Sequence, residues 1–105
     1  METQAAEPTL WMETDAYGHI HNIAPDTATL LGLSARGAYE RDARLFFPAS
    51  YSSLSVLLRE AGYQTVEGIH DLYPRDRKRV QVRVRIEPSS ADLSCRLRRW
   101  TLEPV

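Results

Sequence analysis

Apolar and polar positions along this chain follow two different periods. Between Arg79 and Glu87 the period is two: Val80, Val82, Val84 and Ile86 point one way, and Arg79, Gln81, Arg83, Arg85 and Glu87 the other. An antiparallel sheet with one wet face produces that pattern. From Leu45 to Ala61 the period changes. Phe46 and Phe47 precede Pro48, and then Tyr51, Leu54, Leu57, Leu58 and Ala61 recur at spacings of three and four. This predicts an amphipathic helix that Gly62 ends. Nearer the start, Leu10-Trp11-Met12 and Ile20, Ile23 flank a turn bracketed by Asp15 and Gly18, which predicts a hairpin of strands over 10–15 and 19–23. Pro25 suits the first turn of a short helix over 26–31 that Gly32 closes. Residues 34–44 read as loop with one helical turn. Strands over 64–73 and 93–102 complete the chain, separated from the 79–87 strand by the charged turn Pro74–Lys78 and by Pro88-Ser89-Ser90.

The stretch DAYGHIHNIAPDTATLLGLS, Asp15 to Ser34, resembles the opening of a PAS domain, whose usual pattern is D-x-x-G-x-I, then N-x-A-A, then L-x-G. Asp15, Gly18, Ile20, Leu30 or Leu31, and Gly32 fall in step with it. Ala24 stands where the family most often has Asn, and Asp26-Thr27 where it has two small apolar residues. The element order from Leu10 to Leu102 also follows that family. The resemblance implies an α+β fold: a PAS-like five-stranded antiparallel sheet with short helices packed on one face. It also implies a sensory or regulatory module that relays a signal to an output domain or partner rather than catalysing a reaction. The chain ends soon after the last strand, so it is read as part of a larger regulator or as acting through a partner.

Length allows one domain able to bury a core, with residues 1–9 as a flexible N-terminal segment and 10–105 as the PAS-like domain. No apolar run approaches a membrane span, and the start METQAAEP has neither the basic nor the apolar region of a signal peptide. A lone Cys95 excludes an internal disulfide. A cytoplasmic protein without membrane contact is expected. The net charge of -1 hides an asymmetry, since nine of the thirteen basic residues lie between Arg75 and Arg99. Such an excess attracts an acidic partner or a nucleic acid, or forms a solvated sheet face with packed arginine stems. Nucleic acid is not expected, because of the aromatic residues only Trp100 is interleaved with these arginines.

Chemistry-bearing patterns are sparse. The sequence has no Ser and His in a nucleophile context, no glycine-rich phosphate loop and no H-E-x-x-H, so no enzyme is expected. His19 and His21 share a strand face, but a third metal ligand requires His70 or Asp26 to approach through the fold, and no metal is expected. The resemblance also bears on cofactors. Ala43 occupies the position of the flavin-photoadduct cysteine, and the long helix carries no histidine of the kind haem-binding members use. Both flavin photoadduct and haem are therefore disfavoured, and no cofactor is expected. A cavity between sheet and helices, suited to a small organic ligand, is expected to be lined by Phe46, Phe47, Tyr51, Leu54, Leu58, Val82, Val84, Cys95 and Leu97, with His70 facing it in one register. A filled core has the same sequence pattern.

The last strand admits two registers. If the alternation of Leu93, Cys95 and Leu97 continues unbroken, Trp100 and Leu102 point to the outer sheet face and mark an interaction patch; a bulge at Arg98-Arg99 returns them to the core. The first register predicts a homodimer through Trp11, Arg83, Arg85, Arg98, Trp100 and Leu102. The alternative function is therefore a ligand-free interaction or homodimerisation module that uses the arginine-rich outer face.

Overall fold

The computed structural model describes residues 10–90 and 96–105. Expectations for residues 1–9, Leu93 and Cys95 lie outside the described residues. Strand β1 (Trp11–Thr14) turns through Asp15–His19 into β2 (Ile20–Ile23). Helices α1 (Pro25–Leu31) and α2 (Ala35–Ala38) follow, then two 3-10 turns, Ala43–Phe46 and Pro48–Ser50. Helix α3 (Tyr51–Glu60) leads to β3 (Val66–Leu72), β4 (Val80–Pro88) and β5 (Arg98–Pro104). The strands form one antiparallel sheet in the order β2-β1-β5-β4-β3. The expected α+β architecture is the observed one.

Local chemistry explains the element boundaries. Pro25 stands in the first turn of α1, where the missing N–H costs nothing, and Gly32 ends it at φ +81° with its N–H donated back to the Thr29 carbonyl. Ser34 caps α2, its hydroxyl accepting from the Gly37 N–H. The helix expected from Leu45 onward is divided. Its N-terminal part is taken up by the 3-10 turns on either side of Phe47, and the α-helix begins at Tyr51. Leu54, Leu58 and Ala61 are fully buried beneath α3, while Tyr51 stays exposed.

The alternation in β4 buries Val82, Val84 and Ile86 and leaves Arg83 and Arg85 in water. Opposed residues of an antiparallel pair share a face. Trp100 pairs with Ile86 on one side and Met12 on the other, and Leu102 pairs with Val84. Both therefore belong to the inner face, with Trp100 0% and Leu102 3% exposed. This corrects the register that placed them outside. The strand begins only at Arg98, so Leu97 lies outside the sheet and does not set the alternation. Arg98, also expected on the outer face, is 7% exposed and points inward as well. Its Nε donates to the Leu58 carbonyl at 2.8 Å and its Nη1 to the Arg96 carbonyl at 2.9 Å. A cation beside the carbonyls of a helix's last turn is favourable, and the clamp ties β5 to α3. A Cβ on Gly62 would meet Arg98 Nη2 at 2.5 Å, so the arginine needs a glycine there.

Candidate functional site

Between sheet and helices, six of the residues expected to line a cavity come together in the core. Phe46, Phe47, Leu54, Leu58, Val82 and Val84 are all buried in one cluster with Trp100. The Phe47 and Trp100 rings stack with centroids 6.1 Å apart. The indole N–H donates to Thr14 Oγ1 at 2.8 Å, and that hydroxyl donates to the Asp15 carbonyl. A buried indole keeps its polar end satisfied in this way. Two candidates lie elsewhere: Leu97 is half-buried beyond the sheet, and Tyr51 sits on the surface of α3 beneath the Arg44 guanidinium, 4.5 Å from its ring centroid.

His70 pairs with Val82 and so lies on the inner face at the sheet margin. Its Nδ1 is hydrogen-bonded to Ser50 Oγ at 2.8 Å, and its ring meets the edge of Phe47. Burial lowers its pKa, opposed by the nearby Asp71 carboxylate. The fold thus brings together a serine and a histidine twenty residues apart, and the contact joins β3 to the start of α3.

The turn between β1 and β2 organises the opposite end of the sheet. Asp15 Oδ1 accepts the N–H groups of Tyr17 and His19, and Oδ2 lies 3.2 Å from His21 Nε2 and 3.6 Å from His19 Nδ1. Burial alone would raise the Asp15 pKa, but these hydrogen bonds hold it below the usual carboxylate value. Neither His70 nor Asp26 joins the two histidines, and among the described residues no group of three His, Cys, Asp or Glu is arranged to hold a metal. Gly18 takes φ +84°, and a Cβ there would meet Asp42 Oδ1 at 2.7 Å.

That close approach exposes a pair the sequence reading missed. Asp42 Oδ1 accepts from the Arg44 backbone N–H and Nε, both at 2.9 Å, and Oδ2 accepts from Arg44 Nη2 at 2.8 Å. Arg44 Nη1 donates to Ser55 Oγ at 2.8 Å. Burial would raise the Asp42 pKa, but the Arg44 guanidinium and N–H bring it below the usual value; Asp42 in turn raises that of Arg44. Ala43, between them, is fully buried and donates its N–H to the Gly18 carbonyl. The D-x-R spacing was the available signal.

On the outer face, Arg83 lies 3.8 Å from Glu103, Arg85 3.6 Å from Glu87 and Arg79 3.4 Å from Asp71. Much of the arginine excess is thus locally balanced. Trp11 is half-buried with the Arg99 guanidinium 4.4 Å above its ring. Beside it, Glu13 is 6% exposed although its strand position faces outward; it accepts from Ser89 Oγ at 2.6 Å and Asn22 Nδ2 at 2.9 Å. Of the expected outer-face residues, Trp11, Arg83 and Arg85 lie there and Arg98, Trp100 and Leu102 do not. No helix among the described residues is long and apolar enough to cross a membrane.

No protein-family model matches the chain, and no curated protein matches it in sequence. Solved structures do match its fold. The PAS domain of an HTR-like protein from Haloarcula marismortui superposes with a TM-score of 0.77 at 14% identity, over 91% of this chain and 85% of that one. The PAS domain of the Cronobacter turicensis RpfR quorum-sensing receptor, in complex with C12:0, gives 0.72 at 11% identity over 98% and 99%. The PAS domain of nitrogen regulation protein NR(II) from Vibrio parahaemolyticus gives 0.71 at 13% identity over 91% and 88%. The chain has a PAS-like fold.

Proposed function

We propose that this protein is a non-catalytic sensory or regulatory module that binds a small ligand or a protein partner and relays the event to an output domain or partner. The observation that carries this reading is the match of nearly the whole chain to PAS domains, among them one from a quorum-sensing receptor and one from a nitrogen regulation protein. The relay acts through the packing of the sheet. Binding on the inner face or at the turn shifts β1 and β5, whose other face carries Trp11, Arg99 and Glu103. A ligand moves that equilibrium only by its differential affinity for the two states.

A second reading, a ligand-free homodimerisation module, is favoured by the buried Phe47–Trp100 stack between sheet and helices. In both readings the outer face is the contact surface, now through Trp11, Arg83 and Arg85. Cofactor chemistry forms no part of the proposal, and the purified protein is expected to be colourless. Sedimentation and native mass spectrometry test the reading together. The expected results are a dimer weakened by Trp11→Glu with the melting temperature kept, or a monomer mass carrying a retained small molecule. A bare monomer at high micromolar concentration contradicts the homodimer reading and the small-ligand arm of the first.

A further inference from the structure

Two clefts flank the tip of the β1–β2 turn and share Ala16 and Tyr17 as a wall. The one toward α3 has a volume of about 230 Å³ and is completed by Arg44, Ser55 and Arg59. Both of its charged residues are arginines. Arg44 is held rigidly: its fork rests on Asp42, one Nη1 proton goes to Ser55, and its face covers the Tyr51 ring. A guanidinium has five N–H donors, so two remain unused by these bonds. Ser55 in turn donates to the Tyr51 carbonyl at 2.9 Å, which fixes its oxygen toward Arg44.

Arg59 lies one helical turn beyond Ser55 on the same face of α3. Among the described residues its guanidinium has no hydrogen-bond or ion-pair partner. Asp42 already neutralises Arg44, so Arg59 brings the net positive charge to the cleft. Opposite stands Tyr17, 69% exposed, its ring and the Ala16 methyl offering an apolar wall. Fixed donors, one uncompensated cation and an aromatic wall together suit an oxyanion on a short apolar body.

We propose that the cleft between the β1–β2 turn and α3 binds a small organic anion, its carboxylate or phosphate head held by Arg59 and the spare N–H groups of Arg44 and its body against Tyr17. The site lies outside the sheet–helix interior and stands apart from the relay reading, since its test reads binding alone. A ligand here joins the β1–β2 turn to α3, which the sheet does not do.

The test is calorimetric titration of the full chain with phenyl phosphate, benzoate and neutral phenol. At least one anion binds and phenol does not, and the tighter anion identifies the head. Arg59→Gln, at an exposed position, weakens binding by about tenfold or more, the equivalent of one charge-assisted hydrogen bond. Arg83→Gln on the outer face leaves it unchanged, and added salt weakens it. Failure of both anions to bind overturns the proposal, as does equal affinity in Arg59→Gln or equal binding of phenol.

Discussion

On the inner face of β4 and β5, Val82, Val84, Ile86, Trp100 and Leu102 are sealed from water, whereas on the outer face of the same strands Arg83, Arg85 and Glu103 stand in it. The backbone is shared, so the difference comes from side-chain parity alone. A one-residue slip would exchange the two sets. The inner set is specified by shape: Trp100 fits against Phe47, Met12 and Ile86 and finds one acceptor, Thr14 Oγ1. The outer set is specified by charge, with arginines facing carboxylates at 3.4–3.8 Å. Shape-specified contacts resist replacement. Exposed ion pairs are each worth at most about 1 kcal/mol, and that leaves the outer face free to change partners.

The largest expected contrast sets these faces against each other by truncation. Trp100→Ala removes a fully buried ring and is expected to cost about 3–5 kcal/mol, read as the shift in urea midpoint. Arg83→Ala is expected to cost about 0.5 kcal/mol or less. Similar costs at the two sites would erase the distinction between faces.

Next in size is the turn that fixes the register of β1 against β2. Gly18→Ala must hold a side chain at φ +84° and displace Asp42 Oδ1 from 2.7 Å. The left-handed backbone alone costs about 1–2 kcal/mol, and loosening the Asp42–Arg44 pair adds to it. Thermal melts of Gly18→Ala against Gly37→Ala, where the backbone is helical, check this; equal shifts would show that the turn is not the constraint.

Acid supplies the smallest and most graded effect. The folded-state pKa of His70 is depressed below 6.5, so its contribution to stability is present above that value and is lost as the pH falls through the folded pKa. The depressed Asp15 and Asp42 contribute above 3.8 and lose that contribution at still lower pH. Melting temperature is therefore expected to fall in two stages on acidification. His70→Gln removes the first stage and keeps the second. A first stage that survives in His70→Gln would place the titrating group elsewhere.

The parts of the fold legible in the sequence are those where one physical rule acts alone. Strict alternation in β4 and the spacing of Leu54, Leu58 and Ala61 each named a buried face, and the Asp15–Gly18 turn and Gly32 marked boundaries that the structure keeps within a residue or two. Legibility fails where two rules compete. In β5, Arg98-Arg99 obscures the period, because an arginine inside the protein reads as an exposed one until its carbonyl acceptors are known. Glu13 misleads in the same manner, buried on the outer face by Ser89 and Asn22, which lie far along the chain or on the neighbouring strand. The Asp42–Arg44 pair was hidden in a segment read as polar loop. Phe46, Phe47, Leu54, Leu58, Val82 and Val84 share one buried cluster as their spacing predicts, but alternation cannot tell a lined cavity from a packed core.

The account turns on the orientation of the last strand, and the chain carries its own reporters, since Trp11 and Trp100 are its two tryptophans. Hydrogen–deuterium exchange of the two indole N–H signals in the intact protein, assigned with Trp11→Phe, reads that orientation directly. The expected result is a Trp100 signal that persists with the slowest core amides, because its proton is buried and donated to Thr14 Oγ1, beside a Trp11 signal lost early. Trp100 exchanging as fast as Trp11 would place it on the outer face and contradict the account.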